Sequence, residues 1–155
     1  MTSPMANRPD LPLSLTLQVR DTCLCLHVQR AARAVARRYD EALRPVGLTN
    51  GQFSLLMSLN RPHPGGMATA AMGEIATLLA MDRTTLTANL KVLERRGLLQ
   101  VEADPKDRRS RRLRLLPPGQ DLLARALPIW CDTQRANEAL VTTAEALRGE
   151  LRALS

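Results

Sequence analysis

One phenylalanine, one tyrosine and one tryptophan are the only aromatic residues in this chain of 155. Its core must therefore be built from leucine, alanine, valine and methionine. Apolar residues still make up 45% of the chain, enough for a packed interior and too many for disorder throughout. Leu, Ala and Met are strong helix formers, whereas strands are enriched in aromatic and β-branched residues. The palette thus predicts a mainly helical fold, and the length suits one domain rather than two.

The hydrophobic spacing places the elements. Residues 1–13, punctuated by Pro4, Pro9 and Pro12, read as a flexible extension. From about Leu15 to Val46, apolar residues recur at three- and four-residue steps (Val28, Ala31, Ala32, Val35, Tyr39, Leu43), which predicts one long helix ending at Pro45 and Gly47. Thr49 stands where a second helix needs its N-cap. Arg61 to Gly66 reads as a plain loop. A short helix over Met72–Leu79, a tight turn at Ala80-Met81-Asp82 and a longer helix from Arg83 to Arg96 follow, with Gly97 as the stop. Leu98–Ala103 and Arg111–Leu116 alternate as two strands of a hairpin. Pro117 opens a long helix running to Glu138, with a kink expected at Pro128. Thr142 and Glu145 have capping-box spacing for a last helix. The predicted architecture is mainly α with a small β-hairpin wing: a winged helix-turn-helix flanked by extra helices at both ends.

Charge gives the first functional signal. The formal net charge is +7 and the pI about 10.6, which favours a polyanionic partner. In the helix pair, Ile75, Leu78 and Leu79 can pack against Leu86, Leu90 and Leu93. That leaves Arg83, Thr84, Thr87, Ala88, Asn89 and Lys91 facing outward, residues able to bond base edges and phosphates in a major groove. Directly behind them, Lys106, Arg108, Arg109, Arg111, Arg112 and Arg114 crowd the hairpin. Each signal alone fits an ordinary solvated face. In this order they reinforce one another, since a basic hairpin beside a recognition helix reaches the neighbouring minor groove.

These segments resemble the MarR family of bacterial transcriptional regulators. The resemblance is carried by Met72-Gly-Glu-Ile-Ala, by Asp82-Arg-Thr-Thr-Leu-Thr through Leu93-Glu-Arg-Arg-Gly-Leu-Leu, and by Asp104-Pro-Lys-Asp-Arg-Arg-Ser with Gly119 behind it. It extends over about residues 20–153. It implies a single domain over 14–155, in which 14–47 and 118–155 are dimerisation helices and 48–117 is the DNA-binding lobe. It further implies a homodimer that represses from a palindromic operator on double-stranded DNA. Arg83, Thr84, Thr87, Asn89 and Lys91 would enter the major groove. Arg109 would be the wing-tip arginine, oriented by Asp107 and flanked by Arg108 and Arg111.

Two kinds of inducing signal are open. Leu24-Cys25-Leu26 resembles the reactive-cysteine segment of the peroxide-sensing OhrR branch, with Tyr39 at the position of a thiolate-bonding tyrosine and Asn50 about where a second tyrosine stands in that branch. Cys131 falls near the place of a resolving cysteine in two-cysteine members; a bridge from Cys25 would need Cα atoms within about 7 Å. Cys23 adds a Cys-x-Cys pair, but positions i and i+2 of a helix diverge, and neither His27 nor His63 completes a ligand set. Simple packing accounts for all three thiols equally well. The alternative signal is a small aromatic or lipophilic ligand in a pocket lined by Val35, Tyr39, Phe53 and Trp130.

The remaining classes are weaker. Glycine loops for phosphate, catalytic Ser/His/Asp or Cys/His spacings and metal-ligand sets are missing from the sequence, so no enzyme, metal or cofactor is expected. A thiol-dependent peroxidase and a non-specific nucleoid-type DNA binder are the alternatives. Nothing in Met1–Pro12 resembles a signal peptide and no apolar run approaches a membrane span, so a cytoplasmic protein is expected, with thiols rather than a disulfide framework.

Overall fold

The structure, a computed structural model, describes residues 11–107 and 109–155. Most of the expected flexible extension, and Arg108, therefore lie outside the described residues. The chain divides after Val35 into two units.

The first unit contains α1 (Leu13–Thr22) and the first turns of α2 (Leu24–Leu43). The single long helix expected here is broken at Cys23, whose φ of −69° and ψ of 105° are extended. Asp21, Thr22 and Cys23 are three poor helix formers in succession. The Thr22 hydroxyl donates to the Gln18 carbonyl at 2.8 Å, and the His27 ring bonds the Asp21 carbonyl at 3.1 Å across the break. No residue of α1 is buried; Leu13, Leu15, Leu17 and Val19 are all exposed. The last turn of the expected helix is a 3-10 turn at Arg44–Val46, which accommodates Pro45.

The second unit holds the core. It contains α3 (Asn50–Ser58), β1 (Pro62–His63), β2 (Gly66–Met67), β3 (Ala70–Ala71), α4 (Met72–Leu78), α5 (Arg83–Arg95), β4 (Leu99–Ala103), β5 (Arg111–Leu115), α6 (Pro117–Glu138) and α7 (Ala144–Ala153). Thr49 caps α3 as expected and does so reciprocally: its Oγ1 accepts from the Gln52 N–H at 3.3 Å while Gln52 Oε1 accepts from the Thr49 N–H at 3.2 Å. Gly97, at φ 68°, lets the chain leave α5. The fully buried residues include Leu43, Leu55, Leu56, Leu59, Ile75, Leu86, Leu93, Leu99, Leu113 and Leu115, so leucine builds the interior.

Four further expectations are corrected. Leu78 is 62% exposed, whereas Ile75 is fully buried in the core and Leu79 partly covered. Arg61–Gly66 is not a plain loop, because β1 and β2 pair antiparallel there. The wing is a three-stranded sheet in the order β3-β5-β4. Its extra strand is two alanines, a pair with no strand preference that reads as nothing in the sequence. The Thr142 capping box does not form: α7 opens at Ala144 behind Thr143, without a side-chain cap bond, and Glu145 turns instead to Arg148 and Arg152. As expected, α6 is a helix from Pro117 to Glu138 with Pro128 inside it. Among the described residues no helix is long and apolar enough to cross a membrane.

Candidate nucleic-acid interface

The helix-turn-helix is set by its turn. Ala80 takes a left-handed φ of 48°, rare for a residue with a Cβ, and this folds the chain back between α4 and α5. Asp82 then caps α5. Its Oδ1 accepts from the Thr85 N–H at 2.9 Å and its Oδ2 from the Thr85 hydroxyl at 2.6 Å. Those bonds to the Thr85 hydroxyl and backbone hold the carboxyl below its ordinary range. Leu86, Leu90 and Leu93 bury one side of α5.

At about 100° per residue, Arg83, Thr84, Thr87 and Lys91 fall on one outward arc of α5. Thr87 is half-buried and the other three are exposed. Asn89, two positions from both Thr87 and Lys91, lies on nearly the opposite side. Its side-chain amide donates to the Thr85 carbonyl at 3.1 Å. The structure therefore groups four of the five expected helix residues and leaves Asn89 apart.

The wing brings cations to the same place. A cleft of about 430 Å³ opens between the helix pair and the hairpin, lined by Arg83 and Thr87 of α5 and by Arg109, Ser110 and Arg111 of the wing, with Met72 and Gly73 at the start of α4. Strand alternation decides which arginines take part. Arg111 has the same parity as Leu113 and Leu115, whose side chains face the core, and so turns to the helix side. Arg112 and Arg114 point the other way and are engaged, Arg112 with Asp104 at 3.2 Å and Arg114 with Glu102 at 3.3 Å. Gly73 and Ser110 were not among the expected site residues. Gly73 offers open space where a Cβ would sit, and only the fold reveals that this space faces the wing.

Asp107 orders the tip through one backbone N–H and one hydroxyl. Its Oδ1 accepts from the Arg109 N–H at 2.9 Å and its Oδ2 from the Ser110 hydroxyl at 2.7 Å. The Ser110 hydroxyl and the Arg109 N–H together lower its carboxyl below the ordinary range. The arrangement is an Asx-type turn that presents Arg109, exposed, at the tip.

All three cysteines are free thiols. Cys25, in the first turn of α2, is exposed, and Gln29 Nε2 donates to its Sγ at 3.2 Å. Cys23 sits at the helix break and Cys131 within α6, both half-buried. Among the described residues no three His, Cys, Asp or Glu side chains form a group able to hold a metal ion.

The three aromatic rings form one column. Trp130 stacks on Tyr39 with centroids 6.4 Å apart and on Phe53 at 6.2 Å. Tyr39 is buried, and its hydroxyl donates to Gln134; burial raises its phenol above the ordinary value. Beside the column lies an apolar hollow of about 370 Å³, lined by Phe53, Met57, Leu78, Leu79, Leu127 and Trp130, with Ser54 as its hydroxyl. Phe53 and Trp130 thus line a cavity as expected, while Tyr39 stands behind it. Val35 belongs to the first unit.

A model of the MarR family matches residues 46–110. The crystal structure of the M. tuberculosis transcriptional regulator MosR in complex with DNA is 38% identical and superposes with a TM-score of 0.75, covering 85% of this chain and 92% of that one. The transcriptional activatory protein BadR of Rhodopseudomonas palustris is 31% identical over 98 residues, 63% of this chain and 54% of its own length. A transcriptional regulatory protein named for the hcr operon of Thauera aromatica is 30% identical over 104 residues, 66% of this chain and 59% of its own. The chain therefore spans less than two thirds of the length of these last two relatives.

Proposed function

The chain belongs to the MarR family, and from that premise we propose that it is a transcriptional regulator that binds a palindromic operator as a homodimer. The observation that carries this reading is the shared cleft: Arg83 and Thr87 of the recognition helix and Arg109 and Arg111 of the wing line one surface. In this reading α5 enters the major groove through Arg83, Thr84, Thr87 and Lys91, and Arg109 reaches the adjoining minor groove. DNA-bound MosR supports it as a relative of the same fold. The dimer is supported by the apolar side chains that each unit leaves bare: Leu13, Leu15 and Val19 on α1, and Leu147, Leu151 and Leu154 at α7. A two-fold partner would cover them, and a palindrome would mirror the two-fold. Residues 14–47 and 118–155 are the proposed dimerisation helices, and 48–117 the DNA-binding lobe.

Repression is the proposed sign, relieved by an inducer. The exposed Cys25 favours oxidation of a thiol, with Cys131 or Cys23 as its partner. The hollow beside Trp130 favours a small uncharged aromatic or lipophilic ligand, because its walls carry no charge.

The test is fluorescence anisotropy of labelled DNA from upstream of the chain's own gene, with random duplex as competitor. A regulator prefers its operator by at least about a thousandfold. A ratio near one means a nucleoid-type binder. The same titration is then run after organic peroxide and after dithiothreitol. Binding that collapses and returns assigns the signal to the thiols, and indifference to oxidation assigns it to the hollow. Catalytic consumption of peroxide with added thiol would make the chain a peroxidase instead.

A further inference from the structure

The basic residues of the wing do not share one task. Each of the three nitrogens of the Arg112 guanidinium donates within the protein. Its Nε donates to the Thr69 hydroxyl at 2.6 Å, one terminal nitrogen to the Thr69 carbonyl at 3.2 Å, and the other to Asp104 Oδ2 at 3.2 Å. The side chain of Asp104 is only 14% exposed, and its second oxygen accepts from the Lys106 N–H at 2.8 Å. Thr69 immediately precedes β3, which leads straight into α4. One side chain thus ties the base of the wing tip to the segment that opens the helix-turn-helix.

The wing needs such a tie. Its ladder ends at Ala103 opposite Arg111. Beyond that pair the tip is closed by an Asp104 N–H to Ser110 carbonyl bond of 3.1 Å and the local Asp107 turn. On the other edge, β3 supplies just two paired residues, Ala70 with Leu113 and Ala71 with Arg112. Leu99, Leu113 and Leu115 anchor the base of the sheet in the core, but the tip beyond Ala103 has no buried leucine of its own, so its angle to the helices is set by what fastens it. Arginine suits this position because its planar fork meets a hydroxyl, a carbonyl and a carboxylate at once, which an ammonium cannot.

We propose that Arg112 is a positioning residue for DNA binding: it contacts no phosphate itself and holds the wing tip, and with it Arg109, at a fixed place relative to α4 and α5. This rests on the DNA-binding reading above. The test uses the intact chain and two readouts. In the free protein, Arg112→Met speeds amide exchange over 104–111 by at least about tenfold. On operator DNA it weakens binding by about tenfold without changing the salt slope, and adds less than about twofold once Arg109 is already alanine. Thr69→Val reproduces the loss and Thr69→Ser keeps affinity. Three results overturn the proposal. Normal exchange in Arg112→Met, with wild-type binding intact, means the wing is held by other contacts. A loss that is additive with Arg109→Ala, with a salt slope lower by about one, means Arg112 touches phosphate. A wild-type chain with no preference for any operator overturns the regulator reading itself, and the proposal with it.

Discussion

A Cβ on Gly119 would lie 2.2 Å from the Leu98 carbonyl oxygen and 2.7 Å from Leu115 Cδ1. The first obstacle is backbone, so neither rotamer nor repacking clears it. Gly119→Ala is expected to destabilise the fold by about 1–3 kcal/mol, the usual penalty of overpacking, read from urea unfolding. In the sequence Gly119 shows only as part of a family resemblance; why it must be glycine depends on the Leu98 carbonyl, distant in the chain and adjacent in space. Arg109 is the opposite case. Its place at the tip of a turn-rich, basic segment was legible, since Asp107 and Ser110 are turn formers by type. Arg109→Ala should weaken operator binding and lower the salt slope by about one while leaving the melting temperature unchanged. Unaltered affinity would remove the wing from the interface. Asn89 marks the limit of reading residue types without their angles: helix geometry sets it apart from Arg83, Thr84, Thr87 and Lys91, and its amide bonds the Thr85 carbonyl.

At the scale of elements, caps and periods carried most of the information. Thr49, Asp82 and Gly97 each mark a boundary by mechanism, and each helix begins or ends there. Thr49→Ala should cost about 1 kcal/mol by breaking the reciprocal cap of α3, measured by thermal unfolding. Asp82 supports a pH-dependent prediction. Its carboxyl is lowered by the bonds to Thr85, so the cap contributes at neutral pH, above the unfolded value, and is lost as the pH falls through the folded one. Asp82→Asn should therefore flatten the acid side of the melting curve between pH 7 and 3; an unchanged acid limb would show that the cap does not couple to folding. What the sequence hid were elements with no propensity of their own. The two-residue β3 exists because β5 offers it a partner, and the break at Cys23 arises where three weak helix formers meet a competing hydroxyl bond.

Across the whole molecule, the buried leucines account for one lobe and leave the ends of the chain unsatisfied. Neither α1 nor α7 buries a residue, a state that isolated helices of ten residues do not sustain in water. Leu151→Asp should shift the chain toward monomer in sedimentation velocity at micromolar concentration; an unchanged mass would take α7 out of the interface. The charges behind α7 act alongside. Glu138 and Glu145 are held below the ordinary glutamate range, chiefly by their bonds to Arg148 and Arg152 respectively. That support is complete at neutral pH and fades as the pH falls below about 4.3, so α7 should loosen in acid before the leucine core does. None of this pairing was readable beforehand, because a capping-box pattern and an ion-pair network use the same glutamate, and only the position of Arg148 decides between them. The aromatic column has a last consequence. Trp130 is the chain's sole indole, and it stands between Tyr39 and Phe53 beside the apolar hollow, whose lining includes no residue of the wing. Its emission is therefore a built-in, single-site optical reporter: occupation of the hollow or parting of α3 from α6 will shift it, and contact with DNA alone will leave it dark to the event.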